Sequence, residues 1–442
     1  MIIALGSAAA LLLAYLAWRW YDWAVAMIVL LIPAYLLRFH IFGIPTNVWE
    51  VGVVVVFLVG VARPTIRYSW QQSLRAIPRT FVVLTGLLLV SAIVSTVISA
   101  QLEVSLGILK GWIAVPILAS LLVYSRAKSA RQTYNLLLDT LVAAGSVTAL
   151  LSLTQLQFGE RLAGIYDVPN SLALWLAPII TLAVMRLVVD RRRGYIPSIL
   201  VMATALVLTQ SLAGIVVVVL ALSLAGMLWS PRPLFAAGIL ILTVVAGVGV
   251  LQNSSSSQAS LAVRQQLWSV GADLVREQPI LGVGLGQFEP HYQRVLHERF
   301  ASYKTIHSPP RGLPRGIFEA NGTRVVLLAE RPPPQHFRKP LIPAASRGVF
   351  PAPNNSGKSD QSPLSEFVFR DPHNWPLAWW LNLGLAGLIS FIGLHVIVFR
   401  HSRDRSVTVA LVCLLLFGLV DTIYWKNDLA IVHWILLLLA LP

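Results

Sequence analysis

YIPSILVMATALVLTQSLAGIVVVVLALSLAGMLW, residues 195–229, is apolar for longer than one membrane crossing needs, and polar and small residues interrupt it near the middle at Gln210, Ser211 and Gly214. A helix advances about 1.5 Å per residue, so roughly 20 residues cross the hydrocarbon core. The stretch therefore reads as two short spans joined by a polar, flexible turn. Working outward, similar apolar runs lie near 2–17, 23–42, 46–62, 79–99, 104–124, 134–156, 171–189, 234–251, 374–399, 406–423 and 429–441. With the pair at 196–210 and 213–229, they predict an all-α polytopic membrane protein of about 12–13 transmembrane helices.

Composition agrees. Of 442 residues, 56% are hydrophobic and 12% charged, and the mean hydropathy is +0.72. That exceeds what a soluble core of this length needs, so apolar side chains face lipid. A net charge of +15 raises the question of nucleic acid, but the basic residues sit in short loops between spans and not along one groove, which excludes that partner. The only cysteine, Cys413, lies inside an apolar run, so no intrachain disulfide or cysteine-ligated zinc site is available. Ile2 to Trp18 lacks a basic leader and a cleavage pattern and is read as a retained first span.

Orientation follows from Lys and Arg, which accumulate on the cytoplasmic side. The clusters Arg63/Arg67/Arg75/Arg79, Arg126/Lys128/Arg131, Arg191/Arg192/Arg193 and Arg400/Arg403/Arg405 all fall on one side of this span count. The N-terminus is then outside, the C-terminus inside, and the long segment from Gln252 to His373 outside. Three regions result: an N-terminal membrane bundle over 1–251, an extracytoplasmic loop over 252–373, and C-terminal membrane helices over 374–442. The first half of the loop reads as helical: Val263, Leu267, Val270 and Leu274 recur at helical spacing, with Arg264, Asp273, Arg276 and Glu277 elsewhere on the wheel, a pattern suited to the membrane surface. Pro279 and Gly282, Gly284 and Gly286 end it. The second half, about 302–365, is Pro-rich and predicted to be an irregular insertion.

GVGLGQF at 282–288 has the alternating glycines of a nucleotide loop but neither a preceding strand nor a placed acidic partner, so a tight turn with close backbone packing is expected instead. His291, His297, His307, His336 and His373 are the loop's candidate metal ligands, but no pair has metalloprotease spacing and solvated loop histidines are the default reading. His373 differs: in DPHNWPLAWW it sits with Asn374 at the mouth of a span, and Asp371 is near enough to orient or charge its ring. A histidine there can take a proton from a hydroxyl nucleophile. Arg264 and Arg161 stand on the outer side, where the charge rule gives no reason for arginine, and a guanidinium grips phosphate oxygens in two places. Lys426, between the last two spans, is a third candidate cation, which Asp421 and Asp428 can equally neutralise. Lys110 is an ionisable residue within a span that either snorkels or pairs in the bundle. No DxD-type carboxylate pair occurs on the outer side, which argues against a divalent metal at the donor.

Four stretches together resemble one family. RLAGIYDVPNSLA at 161–173 (which includes Asn170), VLTQSLAG at 207–214, RQQLWSVGADLVREQPILGVGLGQF at 264–288 and HNWPLAWWLNLGLAGLISF at 373–391 are similar, in order and topology, to motifs of the O-antigen ligase and O-antigen polymerase superfamily of bacterial membrane glycosyltransferases. The resemblance covers roughly residues 134 to 400. It implies a membrane glycosyltransferase (GT-C-like) fold and metal-independent, cofactor-free glycan transfer from an undecaprenyl diphosphate carrier on the outer face of the cytoplasmic membrane. The acceptor is a lipid, glycan or protein hydroxyl: a ligase serves lipopolysaccharide core, a polymerase joins repeat units, and some relatives glycosylate protein. By motif, His373 with Asn374 forms the catalytic pair, Arg264, Arg161 and Lys426 bind diphosphate, and Asn170, Gly282, Gly284 and Asp371 support them. One departure stands out: Leu212 occupies the place where the family's Thr-x-Ser-Arg-Gly turn has arginine. A polysaccharide or lipid transporter or flippase is the alternative of another class, disfavoured by the absence of an internal repeat.

Overall fold

The computed structural model describes residues 2–41, 44–157, 159–229, 233–253, 255–306, 317–320, 323–326 and 371–442. Within them the chain is an all-α membrane protein, and each segment marked by hydropathy carries a helix. Six helices are long and apolar enough to cross a membrane: Arg79–Val97, Leu102–Ser129, Arg131–Leu153, Pro169–Val189, Leu212–Trp229 and Trp375–His401. Shorter apolar helices include Tyr21–Leu30, Arg405–Phe417 and Asn427–Leu439. The last is shorter than a span because it is surrounded by protein: every residue from Asp428 to Leu439 is buried. Pro169–Val189 is buried almost as fully, whereas Arg79–Val97 leaves Val82, Val83, Val90 and Val97 exposed, as a lipid-facing helix does.

Two expected boundaries are corrected. The span expected at 23–42 stops at Leu30; a 3-10 turn over Ile32–Leu36, with Pro33 in its first turn, leads into a hairpin of Arg38–Ile41 with Ile44–Asn47. Proline lacks the N–H that a continuing helix would need. The basic stretch after Ala62 is a helix, Pro64–Arg75, turned 103° away from Val48–Ala62. Its apolar Ile66 is buried while Arg67 and Tyr68 are exposed, so it lies across the bundle end.

The two ends of the bundle differ. At one, charged side chains interlock: Arg126 Nε meets Asp22 Oδ1 at 2.5 Å, and the buried Arg186 reaches Asp190 at 2.5 Å and Asp404 at 3.7 Å. At the other end, Lys110, within the span Leu102–Ser129, pairs with Glu50 Oε2 at 2.9 Å, so it is held in the bundle. Its helix relaxes there into a π turn over Leu109–Ala114.

Helix Ser255–Glu277 contains the predicted periodic face. Leu267, Val270 and Leu274 are fully buried, packed on Phe288, Val295 and Leu296 of helix Phe288–Ile306 and on Leu381. The apolar stripe thus faces a neighbouring helix and the bundle, where protein contact replaces the expected membrane surface. Between the two helices GVGLGQF forms a strap. Gly282 has φ +72°, and a Cβ on it would sit 2.3 Å from the Leu381 carbonyl oxygen. The strap fits because helix Trp375–His401 is broken at Gly384, which has non-helical angles. The freed groups are satisfied across the gap: Val283 N–H donates to Leu381 O at 2.8 Å, Leu385 N–H to Ile280 O at 3.0 Å, and Gly286 N–H to the Asn382 Oδ1 at 2.7 Å. The glycine series is therefore the close-packed turn expected of it. Most of the Pro-rich insertion, with His307 and His336, falls outside the described residues; Ile317–Ala320 and Thr323–Val326 pair as an antiparallel hairpin.

Candidate active site

The loop between helices Arg405–Phe417 and Asn427–Leu439 organises the site. Trp112 fixes it: its carbonyl, in the π turn, accepts from Tyr424 Oη at 2.7 Å, and its indole donates to Asn427 Oδ1 at 2.6 Å. Gly418 O accepts from Trp375 N–H at 2.8 Å, tying the loop to the start of the helix that follows His373.

At one end of this loop, Asp421 Oδ1 accepts from His373 Nδ1 at 2.8 Å, and its Oδ2 lies 3.3 Å from Arg264 Nη2. Asp421 is buried, while the His373 side chain keeps 28% of its surface open. Burial by itself would raise the Asp421 carboxyl, but the hydrogen bond and charge of His373, with Arg264 behind them, hold it well below the usual carboxylate range. Burial likewise pulls the His373 ring down, and Asp371 and Asp421 outweigh it, leaving the ring above its ordinary value. His373 also adopts φ +49°, a left-handed conformation uncommon outside glycine. Asp371 holds it there, accepting from the His373 N–H at 3.0 Å and from Thr422 Oγ1 at 2.5 Å. Such local strain costs on the order of 1–3 kcal/mol and persists where surrounding contacts impose it. An imidazole bound through Nδ1–H to a carboxylate has Nε2 as its basic nitrogen.

Arg264 is fixed by three acceptors: its Nε donates to Val420 O at 2.5 Å, and its terminal nitrogens contact Asp421 and the Ser260 hydroxyl. A guanidinium has five N–H donors, so capacity remains for a phosphate. Asn374 caps the next helix, accepting from Leu377 N–H at 3.2 Å while its amide donates to Leu419 O at 3.0 Å. Both bonds are structural, so Asn374→Ala is expected to destabilise the protein by about 1 kcal/mol through the lost cap, measurable as a lower thermal midpoint in detergent.

At the other end of the loop, Lys426 Nζ donates to the Ser171 hydroxyl. Ser171 and Asn170 open helix Pro169–Val189, and Asn170 Oδ1 accepts from Arg161 Nη2 at 3.0 Å. Arg161 Nε donates to Thr209 O at 2.9 Å, inside the turn where the sequence lacks the expected arginine. Arg161, Lys426 and a helix N-terminus thus converge beside Leu212, and helix N-termini favour anions. The five steps of chain from Asp421 to Lys426 reach at most about 18 Å when extended, so the two ends of the loop lie within that distance of each other. Asp421 pairs with His373 and Arg264, and Asp428 accepts from Tyr166 Oη at 2.9 Å; among the described residues neither carboxylate lies within ion-pair distance of Lys426, although its charge acts on Asp428.

Asp421 is the site residue that sequence reasoning did not assign: as a lone acid between spans, it carried no signal except proximity to Lys426. His291, on helix Phe288–Ile306, is lowered by burial and by Arg294 against the opposing charge of Glu277, and among the described residues no carboxylate is hydrogen-bonded to its ring as Asp421 is to His373. Among the described residues no group of three or more His, Cys, Asp or Glu is arranged to hold a metal ion.

A search of curated proteins finds no match. A family model described as O-antigen ligase matches residues 197–309, the stretch containing the Thr209–Gly214 turn, Arg264 and the glycine strap. Arg161, His373, Asp421 and Lys426 lie outside it and are tied to it by the contacts above. Over residues 197–309 the chain is therefore similar to O-antigen ligases, which supports the superfamily resemblance carried by the sequence motifs.

Proposed function

We propose that this protein transfers a glycan from an undecaprenyl diphosphate carrier to an acceptor hydroxyl, in cell-surface polysaccharide biosynthesis, on the outer face of the bacterial cytoplasmic membrane. The observation that carries the reading is the His373–Asp421–Arg264 group beside a second cluster of cations, on a chain similar to O-antigen ligases over residues 197–309.

The step is an inverting displacement. The acceptor oxygen forms a bond to the anomeric carbon as the carbon–oxygen bond to the diphosphate breaks; the acceptor proton goes to His373 Nε2, and the lipid diphosphate leaves with the bonding pair. Asp421 stabilises the imidazolium that forms. Arg264, Arg161 and Lys426 face the charge that grows on the leaving diphosphate, where preorganised donors act most strongly. Arg161 takes the place left by Leu212. Gly282 and Gly284 support the site by holding the strap against helix Trp375–His401.

The test is transfer of labelled glycan by purified protein in nanodiscs, supplied with undecaprenyl diphosphate glycan, lipid, glycan and peptide acceptors, and EDTA. Product that survives EDTA supports metal-independent transfer, and the acceptor used distinguishes ligase, polymerase and protein transferase. Donor binding without product under every condition would overturn the reading in favour of transport.

The pH profile is a second check. A general base must be neutral, so kcat/KM rises with pH through the His373 pKa, above 6.5 because the nearby carboxylates favour the charged ring. Asp421→Asn removes one of those carboxylates, so the acid limb is expected to move to lower pH and the plateau rate to fall. A limb that stays in place would detach Asp421 from the base.

A further inference from the structure

We propose that the end of the bundle opposite His373 contains a binding site for the phosphate headgroup of an anionic membrane phospholipid. A cavity of about 770 Å³ opens there, lined by Arg19, Arg63, Arg126 and Arg192 with Asp22 and Asp139. Its size falls within the roughly 300–1,000 Å³ of ligand clefts. The four arginines come from separate places: the end of helix Ile2–Arg19, the bend between Val48–Ala62 and Pro64–Arg75, helix Leu102–Ser129, and the segment after Pro169–Val189. Topology alone asks only that basic residues lie in the loops at this end; it does not require them to converge on one cavity.

The charges do not cancel. Arg126 is paired with Asp22 at 2.5 Å and Arg192 with Asp139 at 3.0 Å. Arg19 and Arg63 have no carboxylate within ion-pair distance among the described residues. Arg63 Nη1 donates to Ala17 O at 3.3 Å and its guanidinium lies over Trp18; Arg19 lies over Trp20. Two guanidinium groups with unfilled donors match a phosphate in charge and geometry. A lipid source is favoured by the rim, where Trp20 is 52% and Trp23 60% exposed beside the cavity. Exposed tryptophans at a bundle end sit at headgroup depth, and helix Pro64–Arg75 lies across the same end.

The test is native mass spectrometry of the full chain titrated with phosphatidylglycerol or phosphatidylcholine. Wild type is expected to retain phosphatidylglycerol preferentially, and Arg19→Gln/Arg63→Gln to bind it roughly tenfold or more weakly, the size of a lost charge-assisted contact. Arg63→Lys guards against misfolding, since it keeps the charge and should recover part of the affinity. Arg75→Gln, a charge at the same end outside the cavity lining, should leave binding intact. Equal retention of the two lipids, or equal weakening by Arg75→Gln, would reduce the effect to diffuse attraction and overturn the site. Displacement of the lipid by millimolar glycerol phosphate would assign the cavity to a soluble phosphate and overturn the lipid assignment.

Discussion

His373→Ala is expected to lower glycan transfer by about 100-fold to 10,000-fold, the usual contribution of a positioned general base, while donor binding and the elution profile in detergent stay close to wild type. The reason is local. The ring is 28% exposed and contacts Asp421 through Nδ1, and the start of the following helix is held independently of it, by Asn374 and by the Trp375 to Gly418 bond. Asp421 keeps Arg264 and the Thr422 N–H as partners. Single-turnover transfer with saturating labelled donor gives the rate, and a filter-binding isotherm gives the affinity. A variant that transfers at the wild-type rate would remove His373 from the chemistry, whereas one that loses donor binding together with turnover would recast it as a phosphate ligand.

The second large effect concerns folding. Gly282→Ala places a methyl group 2.3 Å from Leu381 O and 2.6 Å from Trp380 O, and Gly384→Ala places one 2.2 Å from Ile280 O. These neighbours are backbone atoms in a mutually bonded strap and helix break, so they have no rotamer by which to retreat. Both glycines also have positive φ, +72° and +69°, which costs a residue with a Cβ roughly 1–2 kcal/mol before any clash. The combined loss is expected to exceed about 4 kcal/mol, the range reserved for core disruption or backbone strain, and to appear as loss of the monodisperse peak after extraction. Gly86→Ala is the control: its Cβ would meet nothing within 4 Å, on helix Arg79–Val97, so alanine there is expected to be neutral or slightly stabilising. If Gly282→Ala extracts as well as Gly86→Ala, the strap is looser than its contacts require.

The sequence by itself determined the membrane class, the segments that become helices and the place where the amphipathic helix yields to the glycine turn. Each of these rests on a local property: the apolar length a bilayer demands, the 3.6-residue period, or glycine's tolerance of positive φ. Singling out His373, Arg264 and Arg161 was also possible, because ionisable residues are conspicuous beside long apolar runs. Tertiary structure alone decided their partners. Asp421 reaches His373 across 48 positions, Arg264 reaches the same carboxylate across 157, and Arg161 comes to the Thr209 carbonyl beside Leu212 across 48. The strap lies in the Gly384 break for the same kind of reason: the glycine series is visible in sequence, whereas 374–399 reads as one unbroken span, and only packing opens that helix and brings its unsatisfied groups to those of the strap. Contacts between distant segments depend on how helices pack, and hydropathy, which sets how deep a residue sits, does not specify which helix stands beside it.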